Sequence, residues 1–275
     1  MVLPELMTVD VGDTPIAIRD TVTINNRDKP ALVLLHGLGG SSQTWAFQFR
    51  ALSDHFRLIA WDMPGYGTSG SFIRKNPTAE HYAHTLSAVL DTIGVFKVHI
   101  LGQSMGALIG AAYAAEYPDQ TLSYTFCQGL IGLAGLSDSE RLQQRNKLLK
   151  ELRNLGPEKF AEERGRKLLG PDTLPMITEL ALTIMKRAPL GAMCQAIEMT
   201  AQTDFFNLAS RIDCASLVIA GSQDPASPLG AGTAAREALG EGLIEIFYRC
   251  GHYSCMEQPN AFNSTIKKFI GLSDD

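Results

Sequence analysis

The chain has 275 residues, of which 45% are hydrophobic and 19% charged, with a formal net charge of -5 at pH 7. This composition is typical of a globular protein and excludes a mostly disordered chain. A net negative charge offers no field that gathers phosphates, so nucleic acid is not expected as a partner. The longest apolar-rich stretch, residues 105–115, is far shorter than the roughly 20 residues of a membrane helix. We expect one large core with insertions.

The N-terminal residues and the cysteines indicate the cellular location and the state of the thiols. Residues 1–10 lack a basic segment followed by a continuous apolar run, so no signal peptide is predicted and a cytoplasmic location is expected. The five cysteines are scattered and show no paired spacing for zinc or redox chemistry. We therefore expect reduced thiols, no metal and no cofactor.

The first elements form a predicted hairpin, followed by a change of pattern. Residues 8–11 and 15–24 alternate between apolar and polar around the turn residues Gly12 and Asp13. Short continuous apolar runs then alternate with helical stretches, which is typical of a parallel sheet with right-handed crossovers. The predicted strands are 31–35, 56–61, 98–101, 121–127, 216–220 and 243–248, and the predicted helices are 41–53, 78–93, 105–116, 230–239 and 259–269.

The alternation stops between about residues 136 and 204. Three charged or amphipathic segments, 139–155, 158–169 and 174–186, contain no convincing strand. We therefore predict a helical insertion between two parts of one α/β core.

A nucleophile motif stands between the strand at 98–101 and the helix that follows it. Gly102-Gln103-Ser104-Met105-Gly106 matches the G-x-S-x-G pattern, in which the serine occupies a sharp turn that leaves no room for neighbouring side chains. A serine hydroxyl is too weak an acid to attack a carbonyl unaided and needs a base. The pattern predicts Ser104 as a nucleophile.

His252 and Asp224 are the predicted partners of this serine. His252 follows the last predicted strand, where a loop at the carboxyl edge of the sheet would bring it over Ser104. Asp224 follows the strand at 216–220 and would hold the imidazole in one tautomer. The chain order Ser, Asp, His is one of the known orders of a catalytic triad.

Two backbone amides are predicted to stabilise the oxyanion of a tetrahedral intermediate. Met105 follows the nucleophile at a helix start, and Leu38 lies in the glycine loop after the first parallel strand. His36, Gly37 and Gln103 are expected to support these positions, with His36 orienting the loop through a hydrogen bond. The loop lacks the endings of nucleotide-binding motifs, so no nucleotide is expected.

Five segments together resemble the signature segments of the α/β-hydrolase fold family and span nearly the whole chain. They are HGLGGSS at 36–42, WDMPGYGTS at 61–69, GQSMG at 102–106, GSQDP at 221–225 and GHY at 251–253. The resemblance implies a mostly parallel eight-stranded sheet flanked by helices, with a helical cap inserted after strand 6. It also implies the division 1–127 core, 128–205 cap and 206–275 core.

Within this family the chain resembles 3-oxoadipate enol-lactonases and carboxylesterase-like members. The expected reaction is cleavage of a carboxylic ester or lactone through an acyl-enzyme on Ser104, with a small-molecule substrate and a monomer or homodimer. Three alternatives stay open on the same fold: a carbon-carbon hydrolase of vinylogous diketones, a perhydrolase or cofactor-free oxygenase, and a non-hydrolytic ligand receptor. The related carbon-carbon hydrolases carry asparagine and tryptophan where this chain has Gln103 and Tyr253.

Several other residues are interpreted as structural or surface residues. The pair His81 and His84 is interpreted as an exposed helix face, Asp62 as structural, and Trp45 and Phe47 as packing residues. The basic residues of the insertion are expected to be solvated, although one of them could meet a substrate carboxylate. These are Arg141, Arg145, Lys147, Lys150, Arg153, Arg164, Arg166 and Lys167.

Overall fold

A computed structural model describes residues 3–22, 29–240 and 242–271. Their strands form one eight-stranded sheet in the order β1-β2-β4-β3-β5-β6-β7-β8. The strands are β1 (Leu6–Val11), β2 (Thr14–Asp20), β3 (Ala31–Leu35), β4 (Arg57–Trp61), β5 (Val98–Gln103), β6 (Thr121–Cys127), β7 (Ala215–Gly221) and β8 (Leu243–Phe247).

The sheet is antiparallel at one edge and parallel elsewhere. β1 pairs with β2, and β2 with β4, in antiparallel register, whereas the pairs from β4 through β3 to β8 are all parallel. The predicted hairpin is thus present, with Gly12 in the left-handed region at its turn. Its predicted last positions, 23 and 24, lie outside the described residues.

Ten α-helices surround the sheet in the described part of the chain. None of them combines the length and the apolar character needed to span a bilayer. They are α1 (Ala46–Leu52), α2 (Ala79–Thr92), α3 (Met105–Glu116), α4 (Asp138–Arg164), α5 (Pro175–Lys186), α6 (Leu190–Gln202), α7 (Phe205–Ala209), α8 (Leu229–Ala238), α9 (Ser254–Glu257) and α10 (Pro259–Ile270).

The core is centred on β3, β4 and α3. Every residue of β3 and β4 is buried, as a continuous apolar run in a parallel sheet predicts. Helix α3 is buried on nearly all sides and consists mainly of small and apolar residues, so it can approach the sheet closely. Since α3 begins directly after Ser104, this packing fixes the position of that residue.

Along the chain, helices α4, α5 and α6 follow β6 and precede β7, which is where the helical insertion is predicted. Helix α4 is broken at Gly156, which has a φ of 68° and precedes Pro157. The amphipathic segment 158–169 is helical almost to its end, because α4 runs to Arg164 and residues Gly165–Leu168 form a 3-10 helix. Helix α6 lies inside the predicted insertion but was not delimited by the sequence pattern.

The two ends of this insertion meet. Gly132 forms a β-bridge with Asp204, and the Phe205 amide donates to the Ile131 carbonyl at 3.0 Å. The chain therefore enters and leaves the insertion at one place. The division at residues 128 and 205 stays a prediction.

Candidate active site

Ser104 lies on the turn between β5 and α3 with a strained backbone, φ 57° and ψ -120°. The flanking residues must be glycines because a side chain at either position would collide with the backbone. A Cβ on Gly106 would lie 2.3 Å from the Leu35 carbonyl oxygen, and a Cβ on Gly102 would lie 2.3 Å from the Gly106 oxygen. The G-x-S-x-G pattern therefore lets backbone pack on backbone while the serine side chain projects from the turn.

The structure brings the three predicted triad residues together. The His252 Nε2 atom lies 2.7 Å from Ser104 Oγ, and Nδ1 lies 2.7 Å from Asp224 Oδ2. Because a carboxylate only accepts, Nδ1 carries the proton and Nε2 is free to accept the serine proton. All three residues are at most 6% exposed.

Asp224 is held by its own turn. Its Oδ1 atom accepts from the amides of Ala226 at 2.8 Å and Ser227 at 3.0 Å, which leaves Oδ2 for His252. A turn before Pro225 favours an aspartate, and this same aspartate orients the histidine. One carboxylate oxygen thus serves the turn and the other serves the histidine.

The predicted oxyanion loop passes directly beside the nucleophile. A Cβ on Gly37 would lie 2.7 Å from the Ser104 Cβ and 2.6 Å from Gln103 Oε1, so only glycine fits there. Leu38 follows it and lines the same cavity as Ser104, while Met105 is the first residue of α3. In the described part of the chain, neither the Leu38 nor the Met105 amide donates a hydrogen bond to a protein acceptor. Neither amide is therefore committed to a partner within the described residues.

His36 joins this loop to the one after β4. Its Nε2 atom accepts from the Met63 amide at 3.1 Å, so the proton resides on Nδ1 and is donated to the Gly37 carbonyl at 2.9 Å. Burial lowers the pKa of His36, against the opposing effect of the Asp62 carboxylate. Asp62 in turn accepts from the Ser42 amide at 2.6 Å. His36 and Asp62 therefore act as structural supports.

Gln103 and Gln128 hold the loop that carries His252. Gln103 is 1% exposed and its Nε2 atom donates to the His252 carbonyl at 2.8 Å. Gln128 donates to the Gly251 carbonyl and accepts from the Ser254 hydroxyl at 2.8 Å. Sequence reasoning missed Gln128, whose φ of 45° directs its side chain toward this loop. No spacing rule signals such a conformation.

A cavity of about 730 Å³ opens above Ser104 and His252. The lining residues joined to the triad are apolar: Leu130, whose amide donates to the Ser104 carbonyl, and Leu168, whose carbonyl accepts from the His252 amide. The charged lining residues all come from α4 and the 3-10 helix after it, and most of them are exposed. They are Lys147, Glu151, Glu163, Arg164 and Lys167. The cavity therefore has an apolar floor and a charged mouth.

Other predicted residues lie outside this cavity. His81 accepts from the Thr78 amide at 3.1 Å and completes the cap of α2, while His84 is exposed. Trp45 is fully buried and Phe47 packs against the core. Of the basic residues in the insertion, Lys147, Arg164 and Lys167 line the cavity and the others do not.

The chain matches the model of the family described as alpha/beta hydrolase fold over residues 30–168. That stretch covers about half of the chain and includes Ser104 and the oxyanion loop. The chain therefore belongs to the α/β-hydrolase fold family. The resemblance stated from the signature segments is confirmed, as is the mostly parallel eight-stranded sheet.

Individual relatives with different names match the chain over most of its length. The chain is 28% identical over 257 residues, 88% of each sequence, to the 2-hydroxy-6-oxononadienedioate/2-hydroxy-6-oxononatrienedioate hydrolase of Paraburkholderia phymatum. Among solved structures, the enol-lactonase from Burkholderia xenovorans LB400 matches with a TM-score of 0.85 and 24% identity, covering 96% of this chain and 99% of that one. A thermophilic esterase from Thermogutta terrifontis matches with a TM-score of 0.85 and 24% identity, covering 97% and 98%. The family and the relative at 28% identity support a hydrolytic enzyme, and the two solved structures show the shared fold.

Proposed function

We propose that the chain is a serine hydrolase that cleaves a carboxylic ester or lactone through an acyl-enzyme on Ser104. The observation that carries this proposal is the unbroken hydrogen-bonded series from Ser104 through His252 to Asp224, with both contacts at 2.7 Å, open to the cavity on the serine side. This arrangement is the one that activates a serine hydroxyl.

The chemistry follows from these positions. Ser104 Oγ attacks the carbonyl carbon while its proton passes to His252 Nε2, and the Asp224 carboxylate stabilises the imidazolium. The amides of Leu38 and Met105 donate to the oxyanion. When the intermediate collapses, the leaving alkoxide or enolate takes the proton from His252. Water then attacks the acyl-enzyme with His252 as the base, and Ser104 is restored.

The cavity supports a substrate with an apolar reacting end and a polar outer end. Its floor beside the triad is formed by residues such as Leu38, Leu130 and Leu168, which exclude water from the acyl group. The cations Lys147 and Lys167 stand at the mouth without an ion pair among the described residues, where they could pair with a carboxylate, while Arg164 pairs with Glu151 at 3.4 Å. A carboxylate-bearing ester or lactone fits both features.

A carbon-carbon hydrolase of vinylogous diketones is the second candidate. The names of the relatives at 28% identity favour it, and so do the cations at the cavity mouth. That reaction releases a carbanion-like fragment and needs polar side chains around the dienol. Here Gln103 is occupied by the His252 carbonyl and does not line the cavity, and the floor is apolar. These observations favour ester or lactone cleavage.

The deciding experiment compares substrates on one enzyme preparation. We expect kcat/KM for the best ester or lactone to exceed that for a 2-hydroxy-6-oxo-dienoate at least about tenfold, because the leaving oxygen needs only the proton that His252 carries. Ser104→Ala serves as the blank. The reverse ranking would move the assignment to carbon-carbon cleavage.

Two further assays separate the remaining alternatives. A ligand receptor would release one equivalent of p-nitrophenol from a p-nitrophenyl ester and then stop, whereas a hydrolase releases product steadily. A perhydrolase or oxygenase would require peroxide or oxygen for product formation. We expect steady release that is independent of both.

A further inference from the structure

Four hydrogen-bond donors converge on the side chain of Glu257, at the end of α9. Its Oε2 atom accepts from the Gly170 amide at 2.7 Å, the Thr173 hydroxyl at 2.7 Å and the Gly251 amide at 3.1 Å. Its Oε1 atom accepts from the Tyr253 amide at 3.0 Å. One carboxylate thus joins the loop that carries His252 to residues 170–173 of the insertion.

The amides on both sides of His252 depend on this carboxylate. Those of Gly251 and Tyr253 both donate to Glu257, while the His252 amide donates to the Leu168 carbonyl at 2.6 Å. Leu168 precedes residues 170–173, so all three amides are held by Glu257 or by the segment that it fastens. Buried amides without a partner are costly, which makes this arrangement specific.

The carbonyls of the same three residues have other partners. That of Gly251 accepts from Gln128, that of His252 from Gln103, and that of Tyr253 from the amides of Met256 and Glu257 at 2.8 Å. The glutamine contacts would survive the loss of the Glu257 carboxylate. Substitution of the Glu257 side chain therefore leaves the glutamine contacts on the carbonyl side of the loop in place.

The two joined segments are also packed closely against each other. A Cβ on Gly251 would lie 2.2 Å from the Leu168 carbonyl oxygen and 2.6 Å from the Gly170 nitrogen. A small shift of either segment would therefore be transmitted to His252, whose Nε2 must stay within hydrogen-bond distance of Ser104 Oγ.

We propose that Glu257 is a positioning residue for the reaction, which keeps His252 aligned with Ser104 by holding the amides on both sides of it. This inference rests on the proposed function of Ser104 and His252. Glu257 does not line the cavity, so its loss should lower kcat and leave KM within about twofold.

The test is Glu257→Gln, which keeps the size of the side chain but turns one acceptor oxygen into a donor that faces amide donors. A displacement of about 1 Å costs on the order of 10²-fold in rate, so we expect kcat to fall by roughly 10- to 100-fold. The rate constant for labelling of Ser104 by a fluorophosphonate should fall in parallel, and labelling should still reach one adduct per chain.

The matched control is Glu162→Gln, the same change at an exposed carboxylate that pairs with Lys186 at 2.9 Å in the insertion. It should label at the wild-type rate. Thr173→Val removes only one donor on the insertion side and should slow labelling by less than about threefold. A loss equal to that of Glu257→Gln would overturn the assignment to the Gly251 and Tyr253 amides.

Labelling of Glu257→Gln at the wild-type rate would overturn the proposal. A smaller final number of adducts per chain with an unchanged rate constant would also overturn it. That result would indicate misfolded protein and not a displaced histidine. If Glu257→Gln does not fold, Glu257→Asp takes its place, with the same supporting and overturning results. Because labelling needs only an activated serine, a failure of the ester and lactone assays would leave this inference standing. Wild-type protein that takes no label would instead overturn the proposed function.

Discussion

The sheet and the helical insertion contribute to the same cavity in opposite ways. Ser104, Asp224 and His252 follow β5, β7 and β8, are at most 6% exposed and are fixed by buried hydrogen bonds. The insertion supplies exposed side chains such as Lys147 and Lys167, for which no ion pair is present among the described residues. The sheet thus fixes the positions of the triad residues, and the insertion places charged side chains at the cavity.

This difference assigns separate tasks to the two regions. Changes at the sheet edge should affect every substrate alike, because they alter bond making. Changes in the insertion should affect substrates differently, because they alter contacts with groups remote from the reacting carbonyl. The following variants test that separation.

The largest effect is expected from Ser104→Ala. Removal of the nucleophile should lower kcat by about 10³-fold or more on every ester and lactone, with folding preserved. The measurement is steady-state hydrolysis together with the thermal unfolding midpoint. A variant that kept a tenth of the wild-type rate on any good substrate would show that another residue is the nucleophile.

The second prediction compares a glycine of each region. Gly106→Ala places a Cβ 2.3 Å from the Leu35 carbonyl oxygen, whereas a Cβ on Gly191, the second residue of α6, meets nothing within 4 Å. We expect Gly106→Ala to lose about 3 kcal/mol of unfolding free energy. Gly191→Ala should be unchanged or slightly more stable.

Urea denaturation of both variants provides the measurement. Equal stabilities for the two would mean that α3 can move away from β3, and the backbone contact would then not explain the glycine at 106. Activity of any folded Gly106→Ala protein should also fall, since Ser104 is anchored to the same turn.

How much the sequence predicts differs between the two regions for a physical reason. The elbow at Ser104, the turn at Asp224 and the strand ends are local features, so spacing and residue type reveal them. Gln128 acts from a left-handed backbone on residues that the fold brings close. Glu257 lies in a helix of four residues and joins its near chain neighbours to the distant Gly170 and Thr173. Neither leaves a periodic signal.

The insertion was predicted as helical but not in detail. Its amphipathic segments reveal helix, and Gly156-Pro157 marks the break in α4. Which side chains reach the cavity depends on how α4 lies over the sheet, which periodicity does not determine. Lys147, Arg164 and Lys167 could therefore be picked out of eight basic residues only in three dimensions.

The third prediction concerns these cations. Lys147→Met with Lys167→Met should raise KM about tenfold for a carboxylate-bearing ester or lactone, with little change in kcat, because a pairing remote from the carbonyl is lost. A neutral ester of equal length should be unaffected. Lys150→Met, on an exposed part of α4 outside the cavity, is the control. Equal KM changes for the charged and neutral esters would contradict a carboxylate subsite.

The smallest effect is expected on stability, at a site in the sheet far from the chemistry. His99 lies on β5, where its Nδ1 atom contacts the Ser123 hydroxyl at 2.8 Å, and burial lowers the pKa of His99 to about 4. An unfolded histidine titrates near a pKa of about 6.5. Between these two values the unfolded chain binds a proton that the folded chain does not, so the free energy of unfolding decreases as the pH falls through this range.

His99→Gln should remove that contribution. In urea denaturation, the wild type should lose more stability between pH 7 and pH 5 than the variant does, by on the order of 1 kcal/mol or less because the ring is partly exposed. Above pH 7 the difference between the two should not change with pH. His84→Gln, which removes an exposed imidazole from α2, is the matched control. If His99→Gln lost as much stability on acidification as the wild type, the pH sensitivity of the sheet would have to come from another group.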